Sequence, residues 1–319
     1  MADEARRFVV TGAGGSIGSH LCEKIVTSNA ESLKLISLTE SGLYNVERRL
    51  RSLQSDTKLT GILGSVCDYG LMCEVCEDTD VVIHAAAHKH VPICEANPIT
   101  AIENNIRGTY RLSDAADSAK VGQFIFVSTD KAVRPKSVMG MTKRVGEMIV
   151  ADRAAKSKQT IFTTVRFGNV LDSAGSVMPL WREQIGQGGP ITITDERCER
   201  YFMSIPEACE LIFGVLEMKK PGTFVFDMGE PTKLIDIAKK LIKDGGSKCE
   251  INCIGLRPGE KLTEELHFDG ELLPTSHPKI FEVERNGKSP RMAAVYAVLL
   301  AASCRNEELA LSDLRDMTC

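Results

Sequence analysis

The chain has 319 residues, 43% of them apolar, with 39 Lys and Arg against 43 Asp and Glu. That composition excludes disorder, collagen and small disulfide scaffolds, and a formal charge of −4 gives no electrostatic reason to expect nucleic acid or an anionic membrane surface. A small or nucleotide ligand fits better, on one large or two interlocked domains.

Met1 to Arg7 is polar and charged with no apolar leader core, so the eleven cysteines are expected to be reduced thiols of a cytoplasmic protein. An apolar strand, Arg7–Thr11, runs into glycines and then the helical pattern Ile17, Leu21, Ile25. A second strand, Leu33–Leu38, follows within the span of one βαβ unit. Further strands are predicted at Gly61–Val66, Asp80–His84, Gln123–Ser128 and Thr160–Phe167, with helices at Leu43–Leu53, Pro98–Ala119 and Met139–Ala155 between them. Cys73-x-x-Cys76 lies in another helical stretch with no second pair at zinc spacing and reads as packing. This alternation, with near-continuous Val/Ile strands, predicts an α/β protein with a doubly wound parallel sheet covered by helices on both faces.

Beyond Phe167 a Gly/Ser/Pro-rich stretch, Gly168–Pro190, reads as loop. A short strand Ile191–Thr194, a helix Pro206–Met218 and a strand Thr223–Asp227 that returns to the sheet follow. Residues 1–168 and 201–228 are therefore assigned to the sheet domain, and 169–200 and 229–285 to a smaller interleaved α/β lobe. The tail, 286–319, holds an apolar helix, Met292–Cys304, read as docked on the body or as an oligomer contact. The longest apolar run, Met292–Ala302, falls far short of the roughly 20 residues of a membrane span, so no membrane association is expected.

The turn after the first strand reads Thr11-Gly12-Ala13-Gly14-Gly15-Ser16-Ile17-Gly18. Gly12 permits a tight turn, Gly15 a close backbone approach to a pyrophosphate, and Gly18 close packing of helix on sheet, while Gly14, Ser16 and Ile17 complete the phosphate-facing helix start. Glu40, just past the second strand, suits the adenosine ribose hydroxyls; no Arg or Lys lies closer than Arg48, so NAD is expected, with NADP the alternative. Asp68 suits either the adenine amino group or a helix cap, and Ala85 and Ala86 after His84 let a cofactor lie against the backbone. His84, His88 and His90 lack a partnering carboxylate pattern, and no metal is expected. At the carboxyl end of the fifth strand, Ser128-Thr129-Asp130-Lys131 brings a hydroxyl, a carboxylate and an amine together, and Met139 and Lys143 share one helix face just beyond.

At these residues the sequence resembles the extended short-chain dehydrogenase/reductases, of Rossmann fold. Within them it resembles the CapD-like UDP-N-acetylglucosamine 4,6-dehydratases of polysaccharide biosynthesis. The likeness rests on the glycine turn, His-Ala-Ala-Ala-His-Lys-His-Val-Pro from His84 and Ser-Thr-Asp-Lys-Ala-Val from Ser128. It continues in Arg-Phe-Gly-Asn-Val-Leu from Arg166, Arg-Tyr-Phe-Met from Arg200 and Arg-Pro-Gly-Glu-Lys-Leu from Arg257. Met139 stands where the superfamily usually has the proton-carrying Tyr, as in one branch of the dehydratases, and its thioether cannot deliver a proton.

The resemblance implies a redox-neutral dehydration of a UDP-sugar, UDP-N-acetylglucosamine or similar, by a homo-oligomer. Lys131 would act as base at C5, Asp130 as acid on the C6 hydroxyl, and Lys143 as ribose ligand and proton relay with Thr129 or water. Arg200 and Arg257 suit the diphosphate. Lys89, Asn169, Ser176, Thr192 and Glu260 complete the substrate set; turn and cap roles remain open for Asn169, Ser176 and Thr192, and surface pairing with Lys261 for Glu260. Arg166 suits either an anion or an ion pair at its strand end. Rival readings are a UDP-sugar 4-epimerase and a catalytically silent dinucleotide-binding regulator.

Overall fold

The computed structural model describes residues 6–246, 248–268, 270, 272–284 and 292–318. Six parallel strands carry the first half of the chain: β1 (Arg7–Thr11), β2 (Ser32–Ser37), β3 (Lys58–Leu63), β4 (Val81–His84), β5 (Gln123–Val127) and β6 (Ile161–Arg166). They line up as β3-β2-β1-β4-β5-β6, and Gly222–Phe226 pairs parallel to β6. The chain winds outward in both directions from β1, so the strand order reverses between β1 and β4 and leaves a crevice at their carboxyl ends.

Alternation along each strand divides the core. Val10, Ile83 and Ile125 face the helices Ser16–Thr27 and Ile205–Met218, whereas Val9, Val82 and Phe124 face Tyr69–Cys76 and Gly108–Ser118. The Ile205–Met218 helix starts at a side-chain cap, Ser204 Oγ accepting from the Glu207 N–H at 3.2 Å.

Several expectations shift. β3 lies three residues earlier than Gly61–Val66, because this edge strand is largely exposed and its apolar pattern carries little register information. The helix expected at Pro98–Ala119 is interrupted by a π-helical turn at Glu103–Arg107. There the Asn105 amide is pinned by His88 N–H, His88 O and Thr142 Oγ1 at 2.8, 3.0 and 2.9 Å. The stretch read as loop contains a helix, Val177–Gly186, whose Val177, Trp181 and Ile185 repeat every fourth residue.

Fully buried Trp181 centres the smaller lobe with Ile191, Ile193, Leu234 and Ala238. The assigned lobe 229–285 overruns its boundary: Leu272–Pro274 and Ile280–Val283 join the main sheet antiparallel beside Gly222–Phe226, completing nine strands among the described residues. In the tail, Met292–Ser303 is followed by a second helix, Glu307–Thr318, and both pack on Ile102, Ile106, Val145 and Ile149 of the body. No described helix is long and apolar enough to cross a membrane.

Candidate active site

At the crevice, Gly12 turns with φ +70°, and a Cβ there would lie 2.7 Å from the Ala86 nitrogen, so the glycine turn meets the Ala85-Ala86 segment backbone to backbone. A Cβ on Gly18 would lie 2.1 Å from the Gly12 carbonyl oxygen: this glycine serves the contact of helix with turn, not of helix with sheet as expected. Gly15 N–H is spent on Gly12 O, and the Ser16–Thr27 helix has no side-chain cap, which leaves the first-turn N–H groups of Ser16, Ile17 and Gly18 for a ligand or water. Across this turn, Ala174 N–H donates to Ser16 Oγ at 2.8 Å. Glu40 opens its helix just past β2, exposed and without a hydrogen-bond or ion-pair partner among the described residues. Asp68 caps Tyr69–Cys76, accepting from the Leu71 N–H at 3.1 Å. An uncapped helix start, a backbone approach that a Cβ would fill and an unpartnered acid past β2 together fit a dinucleotide.

The five residues of β5 are all buried and deliver the chemical residues to the same edge. Thr129 caps the single turn Asp130–Ala132. Asp130 is fully buried; its Oδ1 accepts from Thr129 Oγ1 at 2.8 Å and Lys131 Nζ at 3.0 Å, while Oδ2 has no hydrogen-bond partner among the described residues. Lys131 Nζ also donates to Asn169 Oδ1 at 2.9 Å and lies 3.6 Å from Glu264 Oε1. Glu264 escaped the sequence reading, although it stands three residues past Lys261 in a segment already singled out. Burial pushes its carboxyl above the usual range, with Asp130 adding to the effect and Lys131, Arg200 and Lys261 opposing it.

Behind this cluster the Arg166 guanidinium makes a two-point bond to Glu147 at 3.0 and 2.7 Å, and Ser128 Oγ donates to Glu147 at 2.7 Å. Of the two roles open to Arg166, the ion pair is the one present. Burial alone would raise the Glu147 carboxyl, but Arg166, Arg144 and Ser128 together hold it below its ordinary value. Lys143 Nζ donates to Val127 O at 2.8 Å and sits 4.5 Å over the Phe126 ring; burial lowers it to about 8, against the pull of Glu147. Met139 is buried in the apolar cluster beneath the tail helices. His84 is buried between Thr11 and Thr109 hydroxyls at 2.7 and 3.0 Å, and burial, with Lys143, lowers it to about 3, which keeps it neutral.

The residues assigned to the substrate are used unevenly. Arg200 is buried, donating to the carbonyls of Glu199, Lys261 and Leu262 at 2.8, 2.8 and 2.9 Å and pairing with Glu260 at 3.3 Å, so its fork is committed to the protein and not turned to a diphosphate. Glu260 accepts from Thr194 and Arg200 rather than pairing with Lys261, which is buried and donates to Val133 O at 2.7 Å. Thr192 is held inside the lobe by Gln184, at 2.9 and 3.0 Å, and by Trp181 Nε1 at 2.8 Å. Arg257 and Lys89 are exposed. Ser176 Oγ is buried with no hydrogen-bond partner among the described residues, at the start of Val177–Gly186.

A doubly wound sheet with this glycine turn and this Asp-Lys strand end defines an extended short-chain dehydrogenase/reductase. Residues 8–285 match the polysaccharide biosynthesis protein family, and the chain belongs to it. It is 41% identical over 290 residues to the capsular polysaccharide biosynthesis protein CapD of Staphylococcus aureus, covering 89% of this chain and 48% of that one. It is 34% identical over 268 residues to a UDP-glucose 4-epimerase of Rickettsia canadensis, covering 82% and 77%. The chain spans about half the length of CapD. Among solved structures, Pen from Bacillus thuringiensis superposes with a TM-score of 0.82 at 31% identity over 89% of each chain. DesIV, a dTDP-glucose 4,6-dehydratase from Streptomyces venezuelae solved with NAD bound, reaches 0.73 at 22% identity over 82% of this chain and 88% of that one.

Proposed function

We propose that this chain is an NAD-dependent UDP-N-acetylglucosamine 4,6-dehydratase for surface-polysaccharide synthesis. The observation that carries the reading is the pairing of a buried carboxylate, Asp130, with the Lys131 amine at the sheet's carboxyl edge, 3.0 Å apart. Bound NAD would supply hydride removal from C4 of the sugar and its return at C6. The chain would hold it with the Gly12–Gly18 turn, Glu40 and Lys143. With a ketone at C4, Lys131 takes the acidified C5 proton, and Asp130 gives its proton to the C6 hydroxyl, which leaves as water. Asn169 keeps the Lys131 amine beside Asp130, and Lys143, lowered to about 8 by burial, serves the C4 hydroxyl proton in place of the absent Tyr.

The relative named as a UDP-glucose 4-epimerase favours a second reading, a 4-epimerase, which needs the nucleotide sites but no acid and base at C5 and C6. The test is incubation of purified protein with UDP-N-acetylglucosamine and no added cofactor. A 4-keto-6-deoxy product supports the dehydratase, the galacto isomer the epimerase, and no product from protein that binds both ligands leaves a silent nucleotide-binding protein.

A further inference from the structure

Glu264 is 4% exposed, yet its buried Oε2 has no hydrogen-bond partner among the described residues. Oε1 stands 3.6 Å from Lys131 Nζ, and Oε2 stands 3.7 Å from Lys261 Nζ. Burying a carboxylate in this way is costly, so fold stability is a poor reason for it, and such groups call for a chemical explanation. Lys261 is anchored elsewhere, on the Val133 carbonyl. Lys131 is the group whose charge would change in the reaction, and it is enclosed by Asp130, Asn169 and Glu264.

We propose that Glu264 is a positioning residue of the acid–base pair, whose negative charge stabilises the ammonium that Lys131 becomes when it takes a proton from substrate. The inference rests on the acid–base reading of Asp130 and Lys131. In the step concerned the C5–H bond breaks, its electron pair stays on the sugar as an enolate conjugated with the C4 ketone, and the proton passes to the neutral Lys131 amine. Asp130 then loses its own proton to the departing hydroxyl, so the new ammonium ends between two carboxylates. The charged groups that face Glu264 are Lys131 and Asp130 from the turn after β5, Arg200 from Glu199–Arg200, and Lys261 from its own segment. Glu265 pairs with Arg134 and Glu260 with Arg200, so neither neighbouring acid takes the place beside Lys131. Because burial pushes the Glu264 carboxyl up, this support is withdrawn as the pH falls.

The test uses the full chain without ligands, following acylation of Lys131 by an amine-directed reagent against pH with peptide mass spectrometry. Glu264→Gln keeps the shape and removes the charge, and should lower the midpoint for Lys131 by about one pH unit, about a tenfold gain in free amine at pH values well below the midpoint. The Lys143 midpoint should stay put, and Glu264→Asp should shift Lys131 less than Gln does. Glu264→Ala is the second charge-free variant should Gln not fold. Turnover should fall about tenfold in Glu264→Gln, with KM for the nucleotide sugar within about threefold. Coincident Lys131 midpoints in folded wild type and charge-free variants would overturn the proposal. A shifted midpoint in a protein that makes no 4-keto product supports the role of Glu264 while removing the dehydratase reading.

Discussion

Replacing Arg166 with Met should destabilise the protein by about 3 kcal/mol at pH 7, near the low end of the range for breaking a buried ion pair from one side. Arg166 and Glu147 side chains are each 2% exposed and share a two-point bond. The variant also loses the bond from Arg166 to Leu266 O at 3.2 Å. What keeps the cost from the top of the range is that Glu147 retains Arg144 at 3.2 Å and the Ser128 hydroxyl at 2.7 Å. In the wild type, Glu147 is held below its ordinary value, so its contribution is fully present above the unfolded value of about 4.3 and is lost as pH falls through the lower folded value. In Arg166→Met the sign reverses. Burial dominates, the carboxyl rises above its unfolded value, and the penalty present at pH 7 shrinks as acid protonates it. Denaturant melts from pH 5 to 8 would therefore show the gap between variant and wild type narrowing toward pH 5. The double variant Arg166→Met, Glu147→Leu should recover about half the loss, since the stranded charge is gone. A loss below about 1 kcal/mol at pH 7, or a gap that widens toward pH 5, would refute this account of the pair.

Asp130→Asn and Lys131→Ala should each cut turnover by about 10²-fold while UDP affinity measured by calorimetry stays nearly unchanged; near-normal turnover in both would remove them from the chemistry. Lys143, lowered to about 8 by burial, should show a reductive-methylation midpoint near that pH in ligand-free protein, and a midpoint above 10 would contradict its desolvated setting. Met139→Ala should keep substantial hydride transfer in a single turnover, followed by nicotinamide absorbance, whereas Lys143→Ala should lose most of it. Met139→Tyr should bring no large gain, because the Met139 side chain is buried in an apolar cluster shaped for a thioether, where a phenol needs a hydrogen-bond partner of its own. Activity that appears only in Met139→Tyr would mark the natural sequence as inactive.

The parallel sheet and its glycine turn were legible in the sequence because local rules write them: apolar runs of strand length, glycines at a strand-to-helix junction, an alternating rhythm. The Asp130-Lys131 adjacency was legible for the same reason, since neighbours in sequence at a strand end are neighbours in space. The helix Val177–Gly186 had a signal too, every fourth residue from Val177 to Ile185, but Gly, Ser and Pro around it masked the pattern. What tertiary structure alone decided is how distant charges were spent. Arg200 looks like a phosphate ligand until the Lys261-Leu262 backbone is folded onto it, and Glu264 looks like a surface acid until burial sets it beside Lys131. Neither outcome follows from propensity or period. A side chain's charge is written in the sequence, whereas its desolvation and its partner exist only once segments far apart in the chain share one buried volume.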